Sequence, residues 1–525
     1  MSQFIPGMIA AGHPCTAEAG IEMLRLGGNA FDGAVAAMLA SFVAEPGLTS
    51  AAGGGFLLAH TRDRNLLFDF FVQTPRSKRN AQELDFYPVP VDFGGAVQEF
   101  HIGLASMGVP GNLAGVLAVH QKLGRLPFKV VVEPAIQYAT EGVILNSFQA
   151  YLLKILNPIL TASPEGRQIY APQGTGLEAG DKLYLKDLAA TLQYLAEAGI
   201  KEFYHGAIAE QLVKDCQEKG GYLTREDLSA YQVIEREPLV TQYRDETFLT
   251  NPPPSSGGVL IAFALKLLES VDFQEVGFGS VRHLQILGDV MRLTNLARSN
   301  GYDENLYIPD FGNQFLSPEH CTEYVRVLES DCNRLGSTTH ISIIDGEGNA
   351  ASVTTSNGEG SSYIIPETGI MVNNMLGEAD LNPNGFHQWP SNRRLSSMMA
   401  PTIVLKDNRP EIVLGSGGSN RIRTAILQVI SNAIDFNMDL SRAIASPRVH
   451  WENGVFHLEP GFETEEPESL SNVMPNQTQE VIKWQEKNMF FGGVNGVRMR
   501  GDGEIEAAGD PRRNGAIAQG ERGGD

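Results

Sequence analysis

The sequence predicts one α+β globular unit, on three observations. Apolar residues recur at helical spacing through the first two-thirds of the chain, the spacing turns to strand-like alternation after about residue 335, and no linker or low-complexity tract separates the two regions. A 42% hydrophobic and 19% charged composition supplies material for a large core and excludes a disordered chain.

Taken in order, Thr16 to Ala44 (TAEAGIEMLRLGGNAFDGAVAAMLASFVA) reads as two helices, with Gly27 and Gly28 stopping the first and the second apolar enough to be buried. Helical spacing returns in VVVEPAIQYATEG, LKDLAATLQYLAEAG, VLIAFALKLLES and SVRHLQILGDVMRLTNLARSN. His340–Asp345 and Asn349–Thr355 then flank a Gly-Glu-Gly turn, which predicts a hairpin. A second hairpin turns around Lys406–Pro410, and its outgoing strand runs through GSGGSN into the helix RIRTAILQVISNAIDF. Strand, glycine loop and helix start in that order gather backbone N–H groups at one point, where an anion or oxyanion would fit.

The 40 Lys and Arg against 62 Asp and Glu leave a formal charge of −22, which excludes an electrostatic nucleic-acid binder as the first reading. The longest apolar run, Gly33 to Ala44, is shorter than the roughly 18 residues a membrane helix needs, so no membrane association is expected. No basic residue precedes Arg25, so the charged opening of a secretory signal is missing and a cytoplasmic location is expected. Cys15, Cys216, Cys321 and Cys332 are scattered, with no metal-ligand spacing, and are expected to be free thiols.

Chemistry centres on Gly336-Ser337-Thr338-Thr339-His340, where the helical region gives way to the first hairpin strand. A hydroxyl at a strand start becomes a nucleophile if a base stands beside it. His340 lies on the same strand face as Thr338, although a packed core histidine is the commoner outcome. If the chain breaks before Thr338, the new α-amine, with an intrinsic pKa of about 7.7–8.0, is an alternative base.

The blocks AAGHPCTAEAGIEMLRLGGNAFDGAVAA, AAGGGFLL, SMGVPGNLAG, GGYLTREDLSAYQVIEREPL, NPPPSSGG, STTHISIIDGEGNAASVT, LSSMMAPTIV and DPRR follow one another as they do in the γ-glutamyltranspeptidase family of N-terminal-nucleophile hydrolases, which this chain resembles over nearly its whole length. The resemblance implies a four-layer αββα sandwich made as one precursor. It would cut itself between Ser337 and Thr338 into a large subunit, 1–337, and a small one, 338–525, interleaved in one globular domain. Thr338 would then attack a γ-glutamyl amide and pass the acyl group to water or an amine. No cofactor or metal is implied. The expected partner is a small acyl-amide substrate, neither nucleic acid nor membrane, and further oligomerisation is left open.

By the same resemblance Ser356 takes the place of a second threonine that bonds the nucleophile's amine, and Gly418 and Ser419 supply the oxyanion donors. Ser396 and Ser397 match the pair that holds the substrate α-carboxylate. Glu378 replaces an Asp at the α-ammonium, Met375 replaces a Gln there, and Asn357 is a further candidate beside that position. Phe71 stands where the family has a carboxylate-binding Arg, with Arg76 and Lys78 as substitutes within reach, and a Phe71→Arg change is expected to favour γ-glutamyl over glutaryl donors. The short stretch from Ala379 to Leu395 implies an open pocket and more hydrolysis than transfer. Two alternatives remain: an acylase of the glutaryl or cephalosporin type that does not read the α-carboxylate, and an uncleaved non-catalytic homologue.

Overall fold

The computed structural model describes residues 6–92, 97–324, 338–462, 478–501 and 503–520. Two antiparallel sheets lie face to face. The first has seven strands, in the order Ala516–Gly520, Gly7–Ala11, Thr339–Asp345, Ala350–Ser356, Gly54–His60, Asn65–Phe70 and Ile234–Arg236. The second has six: Ile505–Ala508, Gly493–Met499, Arg409–Gly417, Thr402–Lys406, Glu246–Thr250 and Leu239–Tyr243. Helices Pro14–Arg25 and Ala30–Ala44 back the first sheet, Gly257–Leu268, Arg421–Ile434 and Leu440–Ala445 back the second, and Val281–Ser299 packs on Gly257–Leu268 and on strand Val449–Glu452 of a small third sheet. This is the expected αββα layering, and each sheet takes strands from both sides of Thr338.

The predicted helices and both hairpins are present. Helix Ala30–Ala44 is buried along all fifteen residues and opens on a capping box in which the Asn29 side chain accepts from the Phe31 and Asp32 amides while Asp32 accepts from the Asn29 amide. The second hairpin turns on Asp407 and Asn408, both at positive φ, which suits a tight hairpin turn. The reading of the first two-thirds as helical needs one correction: Gly7–Ala11, Gly54–His60 and Asn65–Phe70 are strands at the heart of the first sheet. Helices cover one side of that sheet and the second sheet covers the other, so these strands carry no polar alternation to read.

The layer between the sheets is bridged by polar groups. The Ser352 hydroxyl donates to the Leu414 carbonyl (3.0 Å), the Ser342 hydroxyl to the Asn495 carbonyl (3.2 Å), and the Asn495 side-chain amide to the His340 carbonyl (2.9 Å). The last two bonds fix strand Thr339–Asp345 against the second sheet, and therefore fix Thr338 at its head.

Candidate active site

Thr338 is 6% exposed and directly precedes strand Thr339–Asp345. Strand alternation sends its neighbour to the opposite face. The Thr339 hydroxyl donates to the Glu45 carboxyl, whose other oxygen accepts from the Thr16 hydroxyl at 2.7 Å. Burial pushes the Glu45 carboxyl up to about 7, against the opposing pull of these two hydroxyl bonds.

His340 is not the base. Its Nδ1 shares a hydrogen bond with the Thr354 hydroxyl (2.8 Å) and its Nε2 with the Ser342 hydroxyl (2.9 Å), and a Cβ on Gly415 would come within 2.3 Å of its ring. Burial pushes the imidazole down to about 3, so it is neutral and ties two strands of the first sheet together beneath Gly415 of the second. His340 is thereby removed from the two candidate bases read from the sequence.

The head of the strand opens into a cleft of about 50 Å³ lined by Thr338, Ser356, Glu378, Ser396, Ser397 and Ser419, with Phe71 in its wall. Six residues expected at the site thus converge from five segments between Thr338 and Ser419. Ser356 ends strand Ala350–Ser356, and its Oγ accepts from the Gly358 amide at 2.9 Å. Ser419 follows the strand end at Gly417, with φ of +51° after +124° at Gly418, and its hydroxyl donates to Asp380. Gly418 does not itself line the cleft but sets the turn that brings Ser419 there.

Ser396 and Ser397 are held by the start of helix Gly257–Leu268. The Ser256 amide donates to the Ser397 carbonyl (2.8 Å), the Ser255 hydroxyl donates to the same carbonyl (2.9 Å), and the Ser256 and Ser396 hydroxyls share a bond of 2.9 Å. The NPPPSSGG block, which the sequence leaves without a role, is therefore the clamp on the serine pair.

Two expectations are corrected. Asn357 is buried and does not line the cleft; its backbone N–H donates to Leu48 and its carbonyl accepts from Asn374. Arg76 and Lys78 do not replace the missing arginine, because Arg76 pairs with Glu226 and Lys78 donates to the His387 carbonyl while lying over the Trp389 ring. Asp380 and Leu381, from the short stretch between Glu378 and Ser396, line the cleft. Phe71 is 1% exposed and stacks on Phe56 at 5.4 Å, so it belongs to an apolar cluster as well as to the cleft wall. Ser337 lies outside the described residues.

The structure adds Asp380 and Arg298 to the lining. Burial and the neighbouring charges of Glu359 and Asp380 hold the Glu378 carboxyl well above the usual carboxylate range. At the back of the site Arg513, second arginine of the DPRR block, donates to the Thr338 carbonyl at 3.4 Å and fills the space beside Gly417 and Gly418.

The sequence model of the gamma-glutamyltranspeptidase family matches residues 16–520. A glutathione hydrolase proenzyme of Escherichia coli (strain K12) is 32% identical, covering 96% of this chain and 90% of its own. An acylase ACY 1 proenzyme of Pseudomonas sp. (strain V22) is 30% identical over 96% of this chain and 91% of its own. The crystal structure of a cephalosporin acylase from Bacillus halodurans is similar at a TM-score of 0.84 and 25% identity, covering 98% of this chain and 96% of that one.

Proposed function

Because this chain belongs to the gamma-glutamyltranspeptidase family, we propose that it is made as a precursor, cuts itself before Thr338, and then hydrolyses or transfers γ-glutamyl groups from small amides such as glutathione. The observation that carries this reading is the convergence of Thr338, Ser356, Ser419, Glu378 and the Ser396–Ser397 pair on one cleft. That both relatives are called proenzymes supports the precursor.

In the first reaction the Thr338 hydroxyl attacks the Ser337 carbonyl, the acyl group shifts from nitrogen to oxygen, and water hydrolyses the ester, leaving a carboxylate on Ser337 and a free amine on Thr338. That amine then takes the hydroxyl proton as Oγ attacks the donor carbonyl, and returns it to the departing amine. The N–H groups of Gly418 and Ser419 stabilise the oxyanion, and water or an acceptor amine releases the acyl group from the threonine ester. Ser356 holds the Thr338 amine, Ser396 and Ser397 receive the donor carboxylate, and Glu378 its ammonium.

A second reading, an acylase for glutaryl-type donors, is favoured by Phe71 in the cleft wall and by the likeness to the cephalosporin acylase. Intact mass and sequencing of the smaller fragment test the first step: a fragment beginning Thr-Thr-His-Ile is expected, and a chain that stays whole after long incubation overturns it in favour of a non-catalytic homologue. Parallel assays with γ-glutamyl and glutaryl anilides decide the donor, and faster turnover of the glutaryl compound would establish the acylase reading.

A further inference from the structure

Among the described residues lining the cleft, Arg298 is the only Lys or Arg. It lies near the end of helix Val281–Ser299, in a segment that the sequence marks only as a helix. Its guanidinium is held at one edge only: Nε donates to the Asp303 carboxylate at 3.0 and 3.2 Å. Among the described residues its two terminal nitrogens have no protein acceptor, so the fork that matches a carboxylate is left to whatever enters the cleft.

We propose that Arg298 reads the carboxylate of the acyl donor, taking over the task that the aromatic Phe71 cannot perform. The proposal rests on the N-terminal-threonine reading above and narrows its substrate class. A γ-glutamyl head carries a carboxylate and an ammonium on one carbon. The cleft offers Arg298 with the Ser396 and Ser397 hydroxyls for the first, and Glu378 with Asp380 for the second. A glutaryl head has no ammonium and forgoes the contacts that one would make with Glu378 and Asp380, which costs binding. The preferred donor is therefore an α-amino acid linked through its side-chain acyl group, and Asp303 is a positioning residue that keeps the arginine fork turned inward.

The test compares two anilides, γ-glutamyl and 4-aminobutyryl, the second being the first without its carboxylate. Loss of a charge-assisted bond predicts that Arg298→Gln lowers the ratio of kcat/KM for γ-glutamyl over 4-aminobutyryl anilide by about 10- to 100-fold, chiefly through KM. Arg298→Lys, which keeps the charge without the fork, should fall between Gln and wild type. Asp303→Asn should lower the same ratio less than Arg298→Gln does. A ratio unchanged in both Arg298 variants, in a wild-type enzyme that is cut and active, overturns the assignment of Arg298 while leaving the threonine mechanism standing. If Arg298→Gln does not fold, an unchanged ratio in Arg298→Lys and Asp303→Asn together overturns it. Wild-type protein that is neither cut before Thr338 nor active on either anilide takes down both readings.

Discussion

Thr338 and Ser356 stand opposite each other across the hairpin of strands Thr339–Asp345 and Ala350–Ser356, one step beyond the pairing of Thr339 with Thr355. Residues so paired have Cβ atoms roughly 4.5–5.5 Å apart, which puts the Ser356 hydroxyl within reach of an amine on Thr338. Ser356 is fixed there by pairing with Gly54 on its other side and by the Gly358 amide.

The first prediction follows from that pairing. Thr338→Ala should remain one chain of 57.0 kDa, inactive but with a wild-type melting curve, because only the hydroxyl and a methyl group are lost. Ser356→Ala should cut more slowly and lose about 10- to 100-fold in kcat, whereas Ser356→Thr, which keeps the hydroxyl, should recover most of it. Electrophoresis and anilide kinetics read both effects, and a Thr338→Ala protein that still splits would show that the nucleophile lies elsewhere.

Phe71 supplies the second. It lies against Phe56, and its carbonyl accepts from the Arg394 guanidinium (2.7 Å) and the Tyr231 hydroxyl (2.8 Å), so its backbone has no freedom to swing a new side chain outward. Phe71→Arg would place a guanidinium in an apolar cluster, at a cost on the order of 3–5 kcal/mol. The expected result is a lowered Tm with no gain in γ-glutamyl preference, the reverse of what the sequence suggests. A variant of unchanged stability with improved γ-glutamyl selectivity would contradict this packing argument.

Most of this site is legible in the sequence, but unevenly, and the reasons are physical. The hairpin that Thr338 heads shows itself by alternation around Gly346-Glu347-Gly348, Ser396 and Ser397 sit in a block whose place in the order is informative by itself, and Ser419 follows the glycine pair between a strand and a helix. Strands Gly7–Ala11 and Gly54–His60 are invisible there because both faces are buried. Arg298 and Asp380 carry no local signal. Arg298 lies near the end of an ordinary helix, and only the packing of that helix against Gly257–Leu268 brings it to a cleft formed by residues around 338, 396 and 419. His340 misleads for the same reason: strand phase puts it on the face of Thr338, but the opposing sheet closes over it two residues from the mouth.

Glu45 gives a prediction about stability and pH. Its carboxyl titrates near 4.5 in an unfolded chain and is pushed up to about 7 in the fold, so the native state favours the protonated form. Its contribution is therefore fully present below pH 4.5 and is lost as pH rises from 4.5 through 7, by an amount on the order of 3 kcal/mol. Glu45→Gln should flatten this part of the curve. Denaturant unfolding of wild type and variant between about pH 4.5 and 8 measures the difference, and two parallel curves would mean that Glu45 is not protonated in the native protein.

The turn at Gly418 and Ser419, proposed to hold the oxyanion, gives the last prediction, because its two residues should respond in opposite ways to mutation. Gly418 has φ of +124°, where any side chain is strained, and an added Cβ would lie 3.0 Å from the Gly492 Cα and 3.2 Å from the Arg513 guanidinium. Gly418→Ala must either carry about 1–3 kcal/mol of strain or move the turn, and a displaced N–H donor predicts a loss of about 100- to 1,000-fold in kcat. Ser419 has φ of +51°, which glycine adopts freely, and its proposed catalytic contribution is the backbone N–H. Ser419→Gly should therefore keep kcat within a few-fold of wild type, although it gives up the hydroxyl bond to Asp380. A Ser419→Gly enzyme as inactive as Gly418→Ala, with both proteins folded and cut, would place the essential group of this turn in the serine side chain and not in the main chain.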